Sequence, residues 1–173
     1  MGLLDEAGLE RLVAAGCTQC GSHKLGFRTF VDGVLPLLGG EPVGRMTWAY
    51  DGEKFIDGVY RIRCLACSDD AFASPDCPRC HRPGGLADAL ASSARLAVPK
   101  RCPSCKGTEL TVLAFVPARV RTGEGRPGAP TLIAQYGEPG FHIAGLMCDG
   151  CDWVAAPEGC PLCGGPGPLR GRP

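Results

Sequence analysis

The 173-residue sequence predicts a small, mainly β protein with a minor α+β part, built as two tandem antiparallel β modules. Each module is opened by a short helix. Three observations predict this. All 12 cysteines fall in CxxC pairs, the spacing of those pairs repeats, and strand-forming runs separated by turn signals fill the long gaps between them.

The pairs are Cys17/Cys20, Cys64/Cys67 and Cys77/Cys80, then Cys102/Cys105, Cys148/Cys151 and Cys160/Cys163. The gaps in the first set are 43 and 9 residues, and in the second 42 and 8. Corresponding cysteines are 85, 84 and 83 positions apart. Phe30 and Phe115 each lie 13 residues after the first cysteine of their set. Asp76-Cys77-Pro78-Arg79-Cys80 also matches Gly159-Cys160-Pro161-Leu162-Cys163. We read this as an internal duplication, with repeats at 1–84 and 85–173.

The elements follow in order within each repeat. Leu3 to Ala15 and Leu86 to Val98 have the apolar spacing of short amphipathic helices leading into a CxxC. Leu25 to Val31, Val43 to Tyr50 and Val59 to Cys64 then read as strands, divided by Asp32-Gly33, Gly39-Gly40-Glu41-Pro42 and Asp57-Gly58. In the second repeat the strands are Leu110 to Val120, Thr131 to Tyr136 and Phe141 to Met147, with turns at Thr122 to Gly128 and Gly137 to Gly140. Aromatic residues make up only 6% of the chain, so two repeats of this size lack the material for large cores and need a staple.

Cysteines supply a staple either as disulfides or as metal ligands. A disulfide inside a CxxC closes a tiny loop and joins nothing distant. Met1 to Glu6 carries acids where a secretory signal has Lys or Arg, and the longest apolar run, Leu110 to Ala118, is far too short to span a membrane. The expectation is a cytoplasmic, metal-binding chain with no membrane association.

A structural zinc takes four Cys or His ligands in a tetrahedron, and each CxxC offers two. The stretch Cys148-Asp149-Gly150-Cys151-Asp152-Trp153, with Glu158-Gly159-Cys160-Pro161-Leu162-Cys163-Gly164, resembles the four-cysteine tail of rubrerythrins and, more broadly, the zinc-ribbon and rubredoxin-like class. The resemblance covers about 20 residues in each half and implies a metal site and a zinc-ribbon-like β fold, not a reaction. All twelve cysteines are metal-ligand candidates, with zinc expected and iron the lesser alternative.

Each repeat has three pairs, whereas a four-cysteine site uses two. Twelve ligands therefore make about three sites, and one must join the repeats. Three strands between the first and second pairs would carry the chain to the opposite end of the module. The favoured grouping is thus Cys64/Cys67/Cys77/Cys80 and Cys148/Cys151/Cys160/Cys163, with Cys17/Cys20/Cys102/Cys105 bridging. The rival makes Val31-Asp32-Gly33-Val34 an extra hairpin, so that the strand count is even. Cys17/Cys20 then joins Cys64/Cys67, and Cys77/Cys80 bridges to Cys160/Cys163.

His23, His81 and His142 are read as structural or surface residues rather than ligands, since twelve thiols already suffice. No HExxH, Walker-type phosphate loop or Gly-x-Ser-x-Gly occurs, and no His-x-Glu precedes a Pro-Cys-x-x-Cys. No small-molecule substrate is evident either, so a non-enzymatic protein is expected.

The formal net charge is zero, which counts against a DNA-coating protein. Residues 1–84 nevertheless carry 9 basic and 11 acidic side chains, against 9 and 7 in residues 85–173. Arg95, Lys100, Arg101, Lys106, Arg119, Arg121 and Arg126 cluster in the second half, with Arg170 and Arg172 in the tail. A nucleic-acid contact through residues 95–126 is the second functional expectation. The first is a protein partner or larger assembly, met through projecting loops at Gly39 to Pro42 and Thr122 to Pro130 and through Trp48, Tyr50, Tyr136 or Trp153.

Overall fold

Two long strands carry the architecture: β1 (Leu25–Leu38) and β6 (Glu109–Gly123). The computed structural model describes residues 5–48, 58–91, 96–123, 126–127, 131–132 and 142–166. β1 follows α1 (Glu6–Ala15) and is followed by β2 (Glu41–Pro42), β3 (Thr47–Trp48), β4 (Arg61–Cys64), β5 (Asp70–Ala73) and α2 (Leu86–Leu90). After β6 come β7 (Arg126–Pro127), β8 (Thr131–Leu132), β9 (His142–Cys148) and β10 (Val154–Ala155). All strand pairings are antiparallel, and the main sheet runs β10-β9-β6-β1-β4-β5.

β1 and β6 lie side by side through thirteen register pairs, from Gly26 opposite Arg121 to Leu38 opposite Glu109. Period-2 alternation sets their inner face. Leu25, Phe27, Val31, Leu35 and Leu37 of β1 are buried alongside Leu110, Val112, Ala114, Val116, Ala118 and Val120 of β6. Leu9, Leu12 and Val13, spaced along one face of α1, cover the Leu25–Phe27 end with Ile62 and Phe72. Met46, Leu96 and Val98 cover the Leu35–Leu110 end. On the opposite face, Phe30 and Phe115 are buried beneath Cys77, Cys160 and Cys163.

Helix α1 starts where Asp5, as N-cap, accepts a 2.7 Å hydrogen bond from the Gly8 amide, and stops at Gly16, whose φ of 74° ends the helical path. The second helix is shorter than the sequence pattern predicts. Among the described residues of that stretch only Leu86–Leu90 is helical; Ala91 is extended, Leu96 to Val98 lie outside any helix, and 92–95 lie outside the described residues.

The expected turn at Asp32-Gly33 is a strand. Gly33 sits mid-β1 opposite Ala114, where a Cβ would come within 2.6 Å of Met46 Sδ, so the glycine admits a packing side chain rather than a turn. The expected strand Val43 to Tyr50 is likewise not continuous: of its described residues, 43–48, only the two-residue β3 pairs with β1, and 49–50 lie outside the described residues. Of the expected strands Thr131 to Tyr136 and Phe141 to Met147, β8 and β9 are present; 133–141, with the Gly137 to Gly140 turn, lie outside the described residues. Gly39-Gly40-Glu41-Pro42 is no projecting loop either. Its Gly39 amide donates to Thr108 O at 3.0 Å, and Gly40 packs against Lys100.

Candidate metal centres

Register alone brings the knuckles together. Leu25, five residues after Cys20, lies opposite Cys64; Leu110, five after Cys105, lies opposite Cys148. The chain leaves along β1, returns along β2, β3 and β4, and so ends where it began. This overturns the favoured grouping: Cys17/Cys20 meets Cys64/Cys67, and Cys102/Cys105 meets Cys148/Cys151. Cys77/Cys80 meets Cys160/Cys163. These are the rival's groups, reached without the extra hairpin at Asp32-Gly33.

In each group the four Sγ atoms lie within 4.8 Å of one another. The closest approaches are 3.6 Å for Cys17–Cys67 and Cys20–Cys64, 3.6 Å for Cys102–Cys151 and 3.5 Å for Cys105–Cys148. In the third group Cys77–Cys160 is 3.9 Å and Cys80–Cys163 is 3.5 Å. A disulfide needs about 2.05 Å. A tetrahedron with metal–sulfur bonds of about 2.3 Å has edges of about 3.8 Å. The spacing and the donor type both fit a four-thiolate metal ion, so all three groups can hold one.

The knuckles share a backbone design. The amide of the first cysteine donates to the carbonyl five residues on in all six, at 2.7–3.0 Å (for example Cys17 to Ser22 O and Cys160 to Gly165 O). The residue after the second cysteine has positive φ in five of them: Gly21, Ser68, His81, Lys106 and Gly164. That residue donates its amide back to the first cysteine's carbonyl at 2.7–3.0 Å. The loop then turns its own amides onto sulfur, as with Ala66 N to Cys64 Sγ and Gly150 N to Cys148 Sγ, both 3.4 Å.

Electrostatics match a cation site. The Cys67 amide, helped by Ala66 and neighbouring thiols, brings Cys64 down to about 6. Burial resists ionisation of Cys163, yet the Gly165 amide and the Arg82 guanidinium bring it down to about 7. Cys102 also reaches about 7: the Cys105 and Ser104 amides outweigh its burial. Their companions move the other way. Cys67 rises to about 12 despite the Asp69 amide, and Cys148 to about 12 despite the Gly150 amide, through burial and adjacent sulfurs. Four thiols this close cannot all ionise without a cation among them.

The three groups differ in exposure. In the central one Cys77, Cys160 and Cys163 are buried and Cys80 is half-buried. It lies on Phe30, Phe115, Tyr60, Leu86 and Ala89. Arg82 packs over Gly165, where a Cβ would come within 2.7 Å of its Cδ, and its guanidinium pairs with Asp88. An open cavity lined by Asp88, Glu158, Cys163 and Gly164 borders the group. In the outer groups Cys20, Cys67 and Cys105 are exposed.

None of the three histidines joins a group among the described residues. His23 is exposed with Nδ1 3.3 Å from Val13 O; His81 serves as a positive-φ knuckle residue; buried His142 places Nε2 2.5 Å from Ala89 O.

The expected basic cluster is divided. Lys100, Arg101 and Lys106 flank Cys102/Cys105 at one end of the β1–β6 ribbon, whereas Arg119 lies at the other, opposite Arg28. Arg121 and Arg126 belong to β6 and β7; Arg95, Arg170 and Arg172 lie outside the described residues. Trp153 is half-buried against the Leu110 core, and Tyr50 and Tyr136 lie outside the described residues. Sequence reasoning missed Arg28, Arg61 and Arg63 as companions of Arg119, because strand pairing alone assembles them. Among the described residues no helix is long and apolar enough to cross a membrane. No protein-family model, curated protein or solved structure matches the chain.

Proposed function

We propose that the chain is a zinc-stapled, non-enzymatic scaffold of two duplicated zinc-ribbon-like modules, which offers one rigid surface to a partner in a larger assembly. The observation that carries this reading is the pairing of like with like in the central group. Cys77 faces Cys160 and Cys80 faces Cys163, each 83 positions on, as a two-fold axis through a shared metal requires. In the outer groups, first cysteines face second ones. Four thiolates close each tetrahedron and leave no open position for a substrate, which supports an architectural role. Zinc suits that role because it is redox-silent. Twelve thiolates kept reduced for metal call for a reducing compartment, and the cytoplasm supplies one.

Purified protein should be colourless, hold zinc by elemental analysis, and lose its fold on chelation, because metal binding and folding are coupled at about 10–16 kcal/mol per structural site. Visible absorption with stoichiometric iron would assign electron transfer instead. A fold that survives demetallation would refute the staple.

A further inference from the structure

Three adjacent strands place arginines side by side on the outer sheet face. In one cross-strand row Arg61 of β4, Arg28 of β1 and Arg119 of β6 are direct register partners. In the next row Arg63 is the partner of Gly26, whose other partner is position 121. Neighbouring strands are about 4.8 Å apart, and alternate residues along a strand about 6.7 Å. All four guanidiniums therefore belong to a patch about 10 Å by 7 Å. Tyr60, buried beneath, senses the group: burial raises its pKa, while Arg28, Arg119 and Arg61 each pull it down.

Like charges directly opposite in a sheet are destabilising, so a row of three arginines breaks a local rule in a chain of zero net charge. Among the described residues one carboxylate engages the patch: Asp70 forms a 2.6 Å ion pair with Arg61. Arg63 and Arg119 are exposed, and Arg28 and Arg61 half-exposed. Arg79, whose guanidinium lies 5.0 Å over the Phe115 ring, extends the charge toward the central metal group. Among the described residues the aromatic rings nearby, Phe30, Tyr60 and Phe115, are all buried, so they offer no exposed anchor of the kind protein partners use. Among the described residues the four arginines stand on strands rather than on a helix, and the ribbon that continues beyond them, β6 with β7, pairs over only two residues, short of what fills a duplex groove.

We propose that this face binds the sugar-phosphate backbone of single-stranded nucleic acid, without base specificity, through Arg28, Arg61, Arg63 and Arg119. Guanidinium forks match phosphate oxygens bidentately, and the patch accommodates about four phosphates. The inference rests on the scaffold reading, because only a rigid sheet keeps side chains from three strands in one row.

The test is fluorescence anisotropy of labelled 12-mer oligo-U and oligo-dT with the full zinc-loaded chain, from 50 to 200 mM salt. The two strands should bind within about threefold of each other, with log K falling at a slope of about −3 against log salt. Arg28→Ser/Arg119→Ser should weaken binding about tenfold at 50 mM salt and flatten the slope to about −1.5, with zinc content and melting unchanged. Asp70→Asn, which removes the carboxylate paired with Arg61, should tighten binding about two- to fivefold. Lys100→Ser/Arg101→Ser/Lys106→Ser, at the far end, should leave it unchanged. Absence of binding at 50 mM salt by a chain that keeps its metal would overturn the surface and leave the scaffold standing. So would wild-type affinity in the double variant, no gain in Asp70→Asn, or equal binding of poly-glutamate, which marks an acidic protein partner.

Discussion

Val31 lies directly opposite Val116 in the pairing of β1 with β6, and the two are 85 positions apart, the separation of Cys17 from Cys102. On either side, Phe30 faces Pro117 and Phe115 faces Asp32, so Phe30 and Phe115, also 85 apart, flank this pair symmetrically. A two-fold axis through the Val31–Val116 pair relates the two strands. The central cysteine group packs on Phe30 and Phe115 beside that axis, and the outer groups lie at the two ends of the ribbon.

Val116 is fully buried and Val31 nearly so. Truncating either to alanine removes two buried methyl groups at the seam. Each variant should lose about 1.5–2 kcal/mol, and by symmetry the two losses should agree within about 0.5 kcal/mol. Chemical denaturation of the zinc-loaded protein measures both. A negligible cost at Val116 would mean that the long strands do not pair as described.

Metal should leave the centres in order. Exposed Cys20, Cys67 and Cys105 open the outer groups to a competing chelator, whereas in the central group Cys77, Cys160 and Cys163 are buried in a cluster with Leu162, Phe30 and Phe115. Release to a chromogenic chelator should be biphasic, two equivalents fast and one slow. Single-phase release of all metal would contradict the difference in burial.

Lys106 and His81 hold φ of 64° and 61°, a conformation that costs an L-residue about 1–2 kcal/mol and glycine almost nothing. Gly21 and Gly164 fill the same place in sister knuckles. Lys106→Gly and His81→Gly should therefore raise stability by about 0.5–1 kcal/mol, measured by thermal melting, with no loss of metal. Loss of a metal ion in His81→Gly would make the histidine a ligand.

The Arg61 guanidinium holds Asp70 below its ordinary 3.8. A lowered carboxyl stabilises the fold above 3.8, and that contribution fades as the pH falls through the depressed value. The pair is more than a third exposed, so Asp70→Asn should cost less than about 1 kcal/mol at pH 7. Thiolates take up protons and release metal earlier on acidification, above about pH 4. Wild type and Asp70→Asn should then denature at the same acid midpoint, together with metal release. A midpoint shifted by the variant would give the ion pair a larger role.

Much of this was legible in the cysteines. Their spacing marks six knuckles in two sets, and their parity requires a shared group. Which pair is shared depended on the strand count: Val43 to Tyr50 reads as a strand running back out, whereas β2, β3 and β4 all run antiparallel to β1, so the chain returns to its start although Asp32-Gly33 makes no turn. The arginine row was invisible for a different reason. Arg28, Arg61 and Arg119 are scattered through the sequence, and only strand register makes them neighbours.

Zinc counting by native mass spectrometry tests the central claim most directly. The wild-type chain should carry three ions. Cys77→Ser/Cys160→Ser and Cys17→Ser/Cys64→Ser each strike one centre and should carry two. Cys17→Ser/Cys102→Ser strikes two centres and should carry one. Four ions in the wild type, or two remaining in Cys17→Ser/Cys102→Ser, would contradict three centres with the shared one at Cys77/Cys80/Cys160/Cys163.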